Sequence, residues 1–179
     1  MDQNKNLAEL LFPHIDKTPE YYEALYPQRQ LPEGARVTRF APSPTGYLHI
    51  GGLFGALVDV LTARSTGGVA YLRIEDTDKK REIDDGVSAI INGFDYFGVA
   101  FDEGVTGFGT EKGDYGPYTQ SHRAEIYQTV AKSLVEKGLA YPCFCTADEL
   151  AAIREEQTKG DALISVSYTH LTLPTNSLV

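Results

Sequence analysis

The feature that most constrains this chain is a double switch of periodicity between Arg36 and Ile74. Arg36-Val37-Thr38-Arg39-Phe40-Ala41 alternates and carries β-branched residues, so it reads as a short strand. The turn Pro42-Ser43-Pro44-Thr45-Gly46 stops it abruptly. From Leu48 to Arg64 the apolar residues Leu53, Leu57, Val60 and Leu61 fall at helical spacing, and Gly67-Gly68 ends that pattern. Val69 to Ile74 returns to a strand. A helix is expected over 83–97, with Val87, Ile90, Ile91 and Phe94 on one face. Strand, helix, strand, helix in this order implies a parallel sheet with crossover helices, an α/β doubly wound domain.

The flanks are less regular. Thr18-Pro19 reads as a helix start, with Thr18 as N-cap and Pro19 in the first turn, inside a helical extension over residues 1–34. Residues 102–120 are acidic, Gly-rich and Tyr-rich, and read as a long loop. Ser121 to Lys137 is amphipathic, with Ile126, Val130, Leu134 and Val135 expected inward and Gly138 ending the helix. Leu139–Thr146 reads as a strand and Asp148–Lys159 as a charged helix.

Composition excludes some classes. No stretch approaches the ~20 apolar residues that span a bilayer, so no membrane role is expected. The polar, acidic start is unlike a secretory leader, which points to the cytoplasm. The net charge is −9 and unevenly spread: residues 35–81 carry +3 and residues 82–120 carry −7. There is no broad basic stripe, so a nucleic-acid partner has to be argued from motifs. The two cysteines, Cys143 and Cys145, form a Cys-x-Cys pair, a poor disulfide framework that suits a metal half-site or no site.

The chemistry-bearing segment is Arg39-Phe40-Ala41-Pro42-Ser43-Pro44-Thr45-Gly46-Tyr47-Leu48-His49-Ile50-Gly51-Gly52. It places a His and two glycines at the start of a helix, just beyond the carboxyl end of a strand. Helix N-termini offer unpaired N–H groups and partial positive charge, and open α/β sheets bind ligands at that edge. Neither a G-x-x-x-x-G-K-[ST] loop nor a G-x-G-x-x-G after the strand is present. A lone His-x-Gly would be explained equally by a solvent-capped helix start.

The full string closely resembles the signature of class I aminoacyl-tRNA synthetases in its glutamyl branch, where the His-x-Gly-His motif often ends in Gly, as it does at Gly52. Further resemblances follow in the family's order. Tyr71-Leu72-Arg73-Ile74-Glu75-Asp76-Thr77-Asp78 is similar to the second-strand motif. Tyr115-Gly116-Pro117-Tyr118-Thr119-Gln120-Ser121 is similar to the lead-in to the third helix, and Leu139-Ala140-Tyr141-Pro142-Cys143-Phe144-Cys145 to the start of the insertion that contacts the tRNA acceptor end.

The resemblance implies a Rossmann-like catalytic domain whose first half spans 35–138, followed by the start of the insertion over 139–161. It implies glutamate, ATP and tRNA(Glu) as partners, Mg2+ on the β- and γ-phosphates, and a monomer. Arg39 would pair with a substrate carboxylate, Ala41 and Ser43 would line the glutamate pocket, and Glu75 would take the α-amino group. His49 would stabilise charge at the α-phosphate, Gly51 would let adenosine approach the helix, and Thr45 and Gly52 would border the phosphates. Asp76 and Asp78 are assigned no metal role, because carboxylates that open a loop commonly cap a helix. Zinc on Cys143 and Cys145 stays open: zinc takes about four ligands, and His170 is the only later candidate.

Three expectations concern the extent of the chain. Residues 162–179 carry no Asp, Glu, Lys or Arg and resemble translated sequencing-adapter DNA, so a non-native tail is expected there. The second family signature, Lys-Met-Ser-Lys-Ser, and an anticodon-binding domain are missing, so this chain alone is expected to be inactive. A tRNA-modifying glutamyl-queuosine type enzyme and a noncatalytic nucleotide- or tRNA-binding module remain as alternatives.

Overall fold

The computed structural model describes residues 3–158 of the 179-residue chain. The chain begins with helices α1 (Gln3–Leu11) and α2 (Pro19–Leu25), the second opening behind Thr18 with Pro19 in its first turn as the sequence indicates. Then come β1 (Val37–Phe40), α3 (Ile50–Thr66), β2 (Val69–Leu72), α4 (Gly86–Tyr96), β3 (Glu103–Gly107) and β4 (Thr110–Lys112). A short 3-10 turn over Gln120–Arg123 leads into α5 (Ala124–Glu136), and α6 spans Ala147–Thr158.

The strands form one sheet in the order β1-β2-β3-β4. β1 and β2 are parallel, pairing Val37 with Val69 and Phe40 with Leu72. β3 is parallel to β2 and antiparallel to β4. Helices α3 and α4 form the crossovers on one face of the sheet, an α/β architecture as the periodicity indicates and Rossmann-like as the resemblance implies, with no crossover helix on the other face among the described residues.

Strand alternation sends Ala70 and Leu72 to the helix-covered face, where they pack with Ala56, Val60 and Ala63 of α3 and with Ile90 and Phe94 of α4. Phe40, Phe94 and Phe101 meet edge-to-face there, with centroids 5.6 and 5.3 Å apart. Gly67, in the left-handed region at φ 69°, closes α3 and directs the chain into β2.

Several local expectations need correction. Residues 102–120 are not a plain loop; they contain the β3–β4 hairpin. Its strands escaped notice because Glu103-Gly104-Val105-Thr106-Gly107 has one large apolar residue and two glycines. Gly104 is nevertheless required: at φ 121° a Cβ would lie 2.2 Å from the Leu72 carbonyl oxygen. Conversely, Leu139–Thr146 forms no strand, and Leu139, Tyr141 and Phe144 are exposed, since no neighbouring strand among the described residues pairs with them.

The buried side of α3 is rotated from the expected one. Ala56, Val60 and Ala63 face the sheet, while Leu57 and Leu61 join Ile50, Phe54 and Val58 in an exposed apolar row. Small residues let the helix lie close on β1 and β2, which turns the larger ones outward.

Helix α5 differs in the same way. It packs on α1 and α2 rather than on the sheet, so it buries Thr129, Lys132, Ser133 and Val135 and leaves Val130 exposed, with Ile126 and Leu134 half-buried. Its Lys132 donates to the Ile15 carbonyl at 2.6 Å and pairs with Glu9 at 2.9 Å. Ala8, Phe12, Ile15 and Val135 form a second small core there. Helix α6 opens with a reciprocal cap: Thr146 N–H donates to Glu149 at 2.7 Å, and Glu149 N–H donates to the Thr146 hydroxyl at 3.3 Å. The expected tail, 162–179, and His170 lie outside the described residues.

Candidate active site

The turn after β1 is held from two sides. Glu75 N–H donates to the Pro42 carbonyl at 3.0 Å, and Ile83 N–H donates to the Pro44 carbonyl at 3.0 Å. Pro44 is buried beneath the first residue of α4, Gly86, where a Cβ would come within 2.8 Å of the Pro44 oxygen. This contact explains why α4 begins at Gly86 rather than at Ile83: the preceding residues are committed to the turn.

Above the turn lies a cleft of about 280 Å³, lined by Phe40, Pro42, Ser43, Thr45, Gly46, Tyr47, Leu48, His49, Gly52 and Ile90. It gathers most of the signature and places Ser43, Thr45, His49 and Gly52 around one space. Gly51 is not part of the lining. A Cβ there would meet the His49 ring at 3.1 Å, so its small size serves the histidine directly.

His49 is the N-cap of α3. Its Nδ1 accepts from Gly51 N–H at 3.1 Å and from Gly52 N–H at 3.4 Å. With Nδ1 turned to these amides, Nε2 is the ring nitrogen left to donate to a ligand. The first amides of α3 are meanwhile occupied by the protein's own side chain.

Arg39 and Glu75 are not in that cleft lining. They meet beside it, with Arg39 Nη1 3.4 Å from Glu75 Oε1. Glu75 also accepts from Arg73 Nη2 at 2.6 Å. Arg73 was not singled out in the sequence. Its signal was available, because residues two apart on an extended segment share a face and Arg73-Ile74-Glu75 is such a pair.

Asp76 is buried and has a structural role. Its carboxylate accepts from Ser121 N–H at 2.9 Å and from Ser121 Oγ at 2.6 Å, with Lys79 at 3.2 Å. It therefore caps the turn before α5, far along the chain, while Asp78 pairs with Arg81. Burial pushes the Asp76 carboxyl up, but the Ser121 and Lys79 hydrogen bonds outweigh burial and hold it below its ordinary value.

A carboxyl lowered by folding contributes stability that is full above its unfolded pKa and lost as pH falls through the folded one. Asp76→Asn is therefore expected to cost about 1–3 kcal/mol at pH 7. It should also flatten the pH dependence of stability below about pH 4, as urea titrations of the two proteins at several pH values would show.

Cys143 and Cys145 are both free thiols, half-buried and exposed respectively. A hydrogen bond and charge from Cys143 push the Cys145 thiol up. No group of three or more His, Cys, Asp or Glu among the described residues could hold a metal. The described donors therefore do not fit a zinc site. No described helix is long and apolar enough to cross a membrane.

Comparison with known proteins identifies the family. The family described as tRNA synthetases class I (E and Q), catalytic domain, matches residues 36–176. A glutamate–tRNA ligase of Clostridium perfringens is 57% identical over 86% of this chain and 28% of its own length. One of Acetivibrio thermocellus is 56% identical over the same shares. A crystal structure of a glutamate tRNA ligase from Elizabethkingia meningosepticum, solved in complex with its amino acid, superposes with TM-score 0.60 at 41% identity, over 73% of this chain and 25% of that one. The chain thus spans little more than a quarter of the curated relatives it matches. With its signature folded around the turn after β1, this chain belongs to the class I tRNA synthetases of the glutamyl and glutaminyl type, within whose catalytic domain its match lies.

Proposed function

We propose that the enzyme containing this segment activates glutamate with ATP and transfers it to tRNA(Glu) in the cytoplasm. The observation that carries the reading is the division of the site after β1. One side offers hydroxyls, glycines and an imidazole; the other offers a guanidinium and a carboxylate set 3.4 Å apart. The first set suits a triphosphate and the second an amino acid that carries both charges.

In this reading Glu75 takes the α-ammonium and Arg39 a carboxylate, replacing the bond they make to each other. Charge-assisted pairing of this kind is strong and directional. Ala41 and Ser43 border the amino acid, Thr45 and Gly52 border the nucleotide, and Gly51 leaves room for the His49 ring. A glutamate carboxylate oxygen attacks the α-phosphorus, the bond to pyrophosphate breaks, and negative charge builds on the phosphoryl oxygens. The Nε2–H of His49 donates to that charge, stabilising it at the moment it forms. A ribose hydroxyl of the terminal adenosine then attacks the glutamyl carbonyl, and AMP leaves. When bound, magnesium supplies charge neutralisation on the β- and γ-phosphates. The cleft lining contains no carboxylate, which suits a metal carried by the nucleotide rather than by this segment.

The test is aminoacylation by the enzyme that contains this segment, with labelled glutamate, ATP and tRNA. ATP-dependent glutamyl-tRNA formation is expected. A folded product that charges no tRNA with glutamate would overturn the proposal.

A further inference from the structure

The segment after α2 crosses the sheet face opposite α3 and α4. There Tyr26, Arg29, Tyr71, Arg73, Tyr115 and Tyr118 enclose much of a cleft of about 260 Å³. Arg29 makes a two-pronged bond to Glu103, at 2.6 Å from Nη1 and 2.5 Å from Nη2, and both side chains are largely shielded. The Arg29 guanidinium lies 3.7 Å from the centre of the Tyr115 ring, and the Tyr115 hydroxyl donates back to the Pro27 carbonyl at 2.8 Å.

The same Glu103 accepts from the buried Tyr118 hydroxyl at 2.6 Å. The backbone around Tyr118 in turn holds Ile74. Ile74 N–H donates to the Tyr118 carbonyl at 3.0 Å, and Gln120 N–H donates to the Ile74 carbonyl at 2.9 Å. Ile74 directly precedes Glu75.

We infer that Arg29 and Glu103 are positioning residues for the amino-acid half of the site, acting through Tyr118 and Ile74 on Glu75. The inference rests on Glu75 receiving the substrate ammonium as proposed above. Glu75 stands beyond the end of β2, where the β1–β2 pattern continues through one last bond. Its own amide makes one bond, to Pro42, and the bridge at Ile74 supplies the other backbone constraint. A bidentate guanidinium–carboxylate pair sets direction as well as distance. Releasing it loosens the ring end of Tyr118 and leaves its backbone on Glu111, which accepts from Tyr118 N–H at 2.9 Å, and displacements near 1 Å are enough to disturb a binding pose. The nucleotide half rests on β1 and α3 and meets this clamp through the Glu75 N–H bond to the Pro42 carbonyl, so the larger effect falls on the amino acid.

The experiment uses the uninterrupted enzyme with Arg29→Ala, Arg29→Lys and Glu103→Gln, in steady-state aminoacylation. KM for glutamate is expected to rise about five- to tenfold in Arg29→Ala and Glu103→Gln, with KM for ATP within about twofold. The Arg29→Ala/Glu103→Gln double variant should be no worse than either single variant, because both break one device. Arg29→Lys keeps the charge and loses the fork, so it should fall between wild type and Arg29→Ala. It also carries the test if Arg29→Ala does not fold. A merely structural role would lower melting temperature and raise both KM values together, which overturns the inference. So does an unchanged KM for glutamate in a folded variant, provided Glu75→Gln still raises it. If Glu75→Gln has no effect, the reading of the amino-acid site fails first and takes this inference with it.

Discussion

His49→Ala in the uninterrupted enzyme is expected to lower kcat for glutamylation by a factor on the order of 10²–10³, the usual effect of deleting one transition-state donor. The same change removes the cap of α3, because Nδ1 accepts from Gly51 and Gly52. Loss of a cap typically costs about 1 kcal/mol of stability. The two losses can be separated. His49→Ser restores an acceptor at the cap but offers no group that reaches where Nε2 stands. It should therefore match His49→Ala in rate while recovering most of the stability. Rapid-quench rates set beside thermal melts give the comparison. A His49→Ser enzyme with near-normal turnover would reduce the histidine to a helix cap.

Glu75→Gln is expected to raise KM for glutamate by about 10- to 100-fold, the range for removing a charged hydrogen-bond partner. Gln still accepts a hydrogen bond, so the change isolates charge. In the structure Glu75 faces two guanidinium groups, Arg39 and Arg73. Removing its charge leaves those cations unbalanced, and an anionic ligand should then bind relatively better than a zwitterionic one. Binding of glutamate and of its deaminated analogue, 2-oxoglutarate, measured by calorimetry on wild type and variant, tests this. A variant that weakens both equally would show that Glu75 shapes the pocket without reading the ammonium.

Much of this site could be read from residues because it is local. Arg39 to Gly52 is a continuous string, and the parallel pair β1–β2 follows from two apolar runs separated by a helix. What escaped was set by distant partners. β3 is a strand because it lies against β2, and Gly104 satisfies that neighbour rather than any strand propensity. Leu139–Thr146 has apolar strand composition, yet no neighbouring strand among the described residues pairs with it, and composition alone could not reveal this. The burial of Lys132 in α5 depends on the carbonyl of Ile15 and on Glu9, more than a hundred residues away. The pairing of Arg29 with Glu103 spans 74 residues, which is why residues 1–34 read from sequence only as a helical extension.

The rotation of α3 has a consequence for how this helix records substitution. Its side chains fall into two registers that obey opposite rules. Ala56 and Ala63 have no exposed surface, so a larger side chain there would wedge the helix off the sheet and tilt His49 away from the turn. Leu57 and Leu61 look like core residues by composition, yet within this segment they accept a polar replacement with little penalty, since no described neighbour closes over them. For α3, hydrophobicity is thus the wrong guide to sensitivity: the smallest residues are the least replaceable, and they set the height at which the helix carries its histidine.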